Sequence, residues 1–107
     1  MTARTQIRPE KIRLDTLKAV LFKVIQNHTE LSFRQMAVLL ECADEPQTIR
    51  GLADKLNISK PAITRAADVL EYERKFIVRR QDPEDRRSVF LCVISEGAKF
   101  LRGLETA

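Results

Sequence analysis

The run Leu56-Asn57-Ile58-Ser59-Lys60-Pro61-Ala62-Ile63-Thr64-Arg65-Ala66-Ala67-Asp68-Val69-Leu70 constrains the fold most, because it reads as a helix, a tight turn and a second helix with its own start signal. Ser59 is placed to cap that second helix, and Pro61 falls in the first turn, where a missing N–H is harmless. Asn57 and Ile58 are left to make the turn. Ile63, Ala66, Ala67 and Leu70 recur at helical spacing and face a core, so Lys60, Pro61, Thr64, Arg65 and Asp68 point outward. The outward set is short or basic, as close approach to a DNA groove requires. The spacing predicts a helix-turn-helix with helix 60–72 at the major groove.

Further on, Arg79-Arg80-Gln81-Asp82-Pro83-Glu84-Asp85-Arg86-Arg87 sets four arginines around a Pro-containing turn. Phe76-Ile77-Val78 on one side and Val89-Phe90-Leu91-Cys92-Val93-Ile94 on the other are strand-like. A basic hairpin over 79–88 follows, placed beside the phosphate backbone or the minor groove. Two plainer readings share these patterns. A helical corner can serve protein contacts, and Asp82, Glu84 and Asp85 offset part of the arginine charge.

Helical periodicity extends on both sides of this centre. Pro9 suits a first helical turn, and Ile12, Leu14, Leu17, Val20, Leu21, Val24 and Ile25 continue the pattern to about Asn27. Ser32 with Gln35 is a capping-box pair, followed by Phe33, Met36, Ala37, Leu40 and Ala43 as the expected inner face and Asp44-Glu45-Pro46 as the stop. Thr48 caps a short helix whose inner face is Ile49, Leu52, Ala53 and Leu56. Ser95 offers a cap for a last helix with Ala98, Leu101 and Leu104 as its apolar face, flanked by Phe100, although Gly97 and Gly103 weaken it. The predicted fold is α+β and mostly helical: a winged helix-turn-helix, with a three-helix core, a β-hairpin wing and flanking helices over 9–30 and 95–107. At 107 residues, 44% hydrophobic and 32% charged, the chain fits one globular domain over 9–107, with 1–8 as a flexible N-terminus.

In order and spacing, Ser32-Phe33-Arg34-Gln35, Ile49-Arg50-Gly51-Leu52-Ala53-Asp54-Lys55-Leu56, Ser59-Lys60-Pro61-Ala62-Ile63-Thr64-Arg65 and Asp82-Pro83-Glu84-Asp85-Arg86-Arg87-Ser88, leading to Ser95-Glu96-Gly97, resemble the MarR family of bacterial winged-helix regulators. The resemblance covers roughly Leu31 to Leu104. It implies a helix from Lys60 to Tyr72 in the major groove and a wing from Gln81 to Ser88 at the adjacent minor groove. It carries the wing aspartate to Asp85 and the groove-entering arginine to Arg87, a planar cation that a nearby carboxylate can hold in one orientation. Arg79, Arg80 and Arg86 are expected at phosphates and Thr64 and Arg65 at base edges. Ser59 and Lys60 at the helix start, with Pro61 beside them, are expected at the backbone.

Family members carry further helical sequence after the wing, which builds a large dimer interface. Here the chain stops at Ala107, a short form. A homodimer is therefore expected to use a smaller or differently arranged face made by Leu14, Leu17 and Leu21 with Phe100, Leu101 and Leu104. Grounds for the small-molecule pocket that many relatives hold beside their dimer helices are correspondingly weak. Where relatives often have Gly between recognition helix and wing, this chain has Lys75, so a differently shaped turn is expected.

The remaining chemistry is sparse. No Gly-rich phosphate loop, GxSxG or nucleophile–base pairing is present, so no enzyme activity and no cofactor is expected. His28, the only histidine, follows Asn27 near a helix end and suits a cap, with no second histidine or CxxC to complete a zinc site. Peroxide-sensing relatives use a reactive thiol. Here Glu41, Asp44 and Glu45 are expected to suppress the Cys42 thiolate, and Cys92 to pack within its strand. Two cysteines, no signal peptide and no apolar run of membrane length predict a reducing cytoplasm, and the DNA-binding reading places the protein at the nucleoid there. The net charge of +4 favours an anionic partner. The expected function is sequence-specific binding of duplex DNA in transcription regulation. A protein-interaction module that pairs with a longer relative, and a non-specific architectural DNA binder, are the rivals.

Overall fold

Polar caps set where the helices begin. The computed structural model describes residues 13–105, so the expectations for residues 1–8 and for a helix start at Pro9 lie outside the described residues. Helix α1 runs over Leu14–Gln26 and α2 over Phe33–Asp44. At the start of α2 the capping box is complete: Gln35 N donates to Ser32 Oγ at 3.1 Å, and Ser32 N donates to Gln35 Oε1 at 2.9 Å. Thr48 Oγ1 accepts from Gly51 N at 3.0 Å and opens α3, Ile49–Leu56. Ser59 Oγ accepts from Ala62 N at 3.2 Å and opens α4, Lys60–Asp68. Left-handed residues stand beyond two of the helices. His28, at φ 56°, follows α1 with its N–H on Ile25 O at 3.0 Å, the cap position expected for it; Asn57, at φ 57°, closes α3.

The chain divides into two compact units: the residues up to Glu30 with those from Leu104 onward, and Leu31–Gly103. In the first, no residue of α1 is buried, and Lys23 Nζ donates to Glu105 O at 3.2 Å. The second carries an antiparallel sheet of β1 (Gln47–Thr48), β2 (Ile77–Gln81) and β3 (Val89–Val93), in the order β1-β3-β2. Ile77 pairs with Val93 and Gln81 with Val89, while Gln47 pairs with Leu91 and Thr48 with Phe90. Val38, Leu39, Leu52, Ile63, Leu70, Ile77 and Leu91 are fully buried and form the centre of its core.

Strand β1 is an addition to the expected fold. Two residues are too few to show a period of two. It is anchored by the buried Gln47, whose Nε2 donates to Glu41 O and Glu45 O at 3.2 Å each. The inner face of α2 also differs from expectation. Val38, Leu39 and Cys42 are buried, whereas Phe33 is 85% and Leu40 49% exposed. Two apolar stripes overlap on this helix, and the one that meets α4 and β3 is the one buried.

Beyond α4 the helix widens into a π-helical segment, Val69–Glu73, with Arg74 N on Val69 O, five residues back, at 3.0 Å. Lys75 then takes φ 59°, the left-handed conformation for which glycine is usual. The last helix, α5, covers Ser95–Leu104, but its first bond runs from Ala98 N to Ile94 O at 2.9 Å. Ser95 is thus inside the helix and not its cap. Gly97 has a packing reason: a Cβ there would lie 2.3 Å from Phe76 O. The close approach also stacks Phe100 on Phe76, ring centroids 4.9 Å apart.

Candidate nucleic-acid interface

Packing sorts the residues of α4 as the spacing predicts. Ala62, Ile63, Ala66 and Ala67 are buried, and Ser59, Lys60, Pro61, Thr64, Arg65 and Asp68 are exposed. The side chains of Lys60 and Arg65 make no hydrogen bond or ion pair within the described residues, so their charge is open to an outside anion. The Ser59 hydroxyl accepts from Ala62 N and keeps its own proton to donate.

The wing tip between β2 and β3 is a tight loop organised by its acids. Asp82 N donates to Ser88 O and Ser88 N to Asp85 O, each at 2.9 Å. Asp82 Oδ1 accepts from Glu84 N at 2.9 Å, and Asp85 accepts from Arg87 N and Ser88 Oγ at 3.1 Å each. Asp85 is first a loop-former. Its ion pair with Arg87 is loose, 3.7 Å from Nε, and the Arg87 side chain is 95% exposed. Exposed pairs of this kind are worth at most about 1 kcal/mol, so Arg87 remains free to engage a ligand. Arg80 and Arg86 are also exposed, with no side-chain partner within the described residues.

Arg79, expected at a phosphate, has carboxylate partners within the fold. Its Nη2 donates to Asp68 Oδ1 at 2.8 Å, its Nη1 to the Glu71 carboxylate, and its backbone N–H to Glu71 Oε2 at 3.3 Å. The guanidinium also lies 5.7 Å from the Tyr72 ring centroid. Burial works against the charge, but Glu71 and Asp68 outweigh it and hold Arg79 above its ordinary pKa. Arg79 ties the end of the recognition helix to the first wing strand. The residue after it in the strand, Arg80, points out instead.

Two basic residues escaped the sequence reading. Arg34 lines a surface cavity of about 280 Å³ with Arg65, and Arg50 lines one of about 440 Å³ with Arg87. The available signal was position: each stands two residues after a capping side chain, Ser32 or Thr48, at a helix start.

The expected dimer face divides. Leu14, Leu17 and Leu21 are exposed, as are Phe22 and Ile25 on the same helix. Phe100 is 8% exposed and stacked on Phe76, and Leu104 is also buried, so neither offers surface; Leu101 is half-buried. The Cys42 thiol is pushed up to about 12, chiefly by burial, with Cys92 and Glu41 adding to it. Desolvation, more than the neighbouring acids, is the main cause. Among the described residues no group of three or more His, Cys, Asp or Glu could hold a metal ion, and no helix is long and apolar enough to cross a membrane.

Solved structures with this arrangement are numerous. The transcriptional regulator BldR from Sulfolobus solfataricus is 25% identical, with a TM-score of 0.66, over 84% of this chain and 64% of that one. CouR from Rhodococcus jostii RHA1, bound to p-coumaroyl-CoA, is 27% identical, with a TM-score of 0.69, over 84% of this chain and 62% of that one. MarR from E. coli, in its apo form, shares the fold at 20% identity and a TM-score of 0.68, over 85% of this chain and 66% of that one. The chain thus spans roughly two thirds of the length of these structures, and less than that of BldR and CouR. A comparison with curated proteins gives no significant match. The model of the MarR family matches residues 31–89, from the capping box of α2 through the helix-turn-helix, the first wing strand and the wing tip to the first residue of β3. With that match over more than half its length, on the winged-helix fold just described, the chain belongs to the MarR family.

Proposed function

We propose that this protein binds duplex DNA in a sequence-specific manner, as a homodimer, and regulates transcription. The observation that carries the reading is the sorting of its cations. Among the described residues, the side chains of Lys60, Arg65, Arg80 and Arg86 stand exposed and unpaired on the recognition helix and wing, with Arg87 only loosely held, while Arg79 is paired within the fold. Thr64 and Arg65 face the major groove as base readers, Ser59 and Lys60 with Pro61 meet the backbone, and Arg87 reaches the minor groove from a tip shaped by Asp85. Arg80 and Arg86 add phosphate contacts. Self-association uses α1, whose Leu14, Leu17, Leu21, Phe22 and Ile25 are exposed among the described residues. Because CouR holds a coenzyme A thioester, the weak sequence grounds for an effector are no argument against one.

The test is selection of bound duplexes from a random-sequence pool at physiological salt. An enriched palindrome with half-sites about one helical turn apart supports a dimeric, sequence-specific regulator. Retention without enrichment supports an architectural binder, and no retention supports a protein-interaction module.

A further inference from the structure

We propose that Arg50 binds a backbone phosphodiester in a notch at the foot of the wing, bordered by Arg87, the arginine that reaches into the adjacent minor groove. The inference rests on the DNA-binding reading above and adds a contact outside the recognition helix and wing tip. The notch is the open cavity of about 440 Å³ bounded by Thr48, Ile49, Arg50, Arg87, Ser88 and Val89. Among the described residues no acidic side chain lines it.

Its construction follows from the short strand β1. Thr48 lies opposite Phe90 in an antiparallel pair. The chain leaving Thr48 toward Arg50 and the chain entering Phe90 from Arg87 therefore lie at the same end of the ladder. A two-residue strand thus brings together two arginines 37 positions apart in sequence. The Arg50 side chain is exposed and has no hydrogen bond or ion pair within the described residues, where the only ion pair of Arg87 is the 3.7 Å contact to Asp85. The Thr48 hydroxyl accepts from Gly51 N and retains a proton to donate, whereas the Ser88 hydroxyl is spent on Asp85. The guanidinium groups of Arg50 and Arg87 give this solvent-open notch two positive charges, a local field that favours an anion at Arg50. Planar forks of this kind suit phosphate oxygens. A duplex engaged by the wing brings its backbone to the same unit.

The test measures binding of a mixed-sequence duplex of about 30 base pairs between 50 and 200 mM salt, a range over which counterion release dominates affinity. Sequence does not matter for a phosphate contact, so no operator is needed. Arg50→Ala is expected to lower the salt slope by about 0.9 and affinity at 150 mM by about fivefold, while Arg50→Lys keeps the slope. An unchanged slope in Arg50→Ala, with the parent protein binding normally, overturns the notch and leaves the DNA reading standing. Failure of the parent protein to bind overturns both. An equal loss of slope in Lys99→Ala, an exposed cation of α5, ascribes the effect to total charge and overturns the notch. Displacement of the duplex by millimolar inorganic phosphate from the parent but not from Arg50→Ala assigns it to a free anion, with the same consequence.

Discussion

The base and the tip of the wing are written in nearly the same residues and behave differently. At the base, Arg79 is bound by Asp68 and Glu71 and lies near the Tyr72 ring, and Phe76 is clamped between its left-handed neighbour Lys75 and Gly97. At the tip, Asp85 orders the loop backbone while Arg86 and Arg87 stay in solvent. An arginine with two carboxylates in reach becomes part of the scaffold. One without a competing partner is left for an outside anion, and its conformational freedom is the cost of that availability.

That contrast breaks most severely at Gly97. Gly97→Ala forces α5 away from Phe76 O and should destabilise the protein by about 3 kcal/mol, read as a lower denaturant midpoint. Next, Arg79→Ala leaves Glu71 without its partner and should cost about 2 kcal/mol, discounted from a fully buried pair because Arg79 keeps 23% exposure. A thermal shift within error would mean that Arg79 is not scaffold. Asp85→Ala should cost about 1 kcal/mol through lost loop bonds, with weaker DNA binding because Arg87 is less ordered. Arg87→Ala should change stability by less than about 0.5 kcal/mol yet weaken DNA binding about tenfold. Unchanged affinity there would remove the tip from the interface.

The smallest effect near neutral pH belongs to the interior thiol. The Cys42 pKa rises from 9.0 to about 12 on folding, so the protonated form is favoured by the fold. Its contribution is fully present below pH 9.0 and is lost as pH climbs toward about 12, where the unfolded chain ionises first. Thiol labelling at pH 8 should therefore leave Cys42 unmodified in the native protein and reach it after denaturation.

Much of the fold was legible because it rests on local chemistry. Ser32, Thr48 and Ser59 cap helices through N–H groups three residues away, and Ile63, Ala66, Ala67 and Leu70 show their buried face through spacing alone. The outward side of α4 follows from the same geometry. Other features were hidden because distance in sequence conceals them. Either stripe of α2 satisfies helical periodicity, and only its neighbours α4 and β3 select Val38, Leu39 and Cys42 over Phe33 and Leu40. Arg79 and Arg80 look equivalent until Asp68 and Glu71 claim one of them.

Residue spacing and capping groups suffice to specify a helix-turn-helix followed by a basic hairpin, since both act within a few residues of themselves. Which charges remain free, why Gly97 must lack a side chain, and how Arg50 meets Arg87 depend on contacts between elements far apart along the chain. Those contacts are set by competition among partners in the folded core. No local pattern encodes the winner.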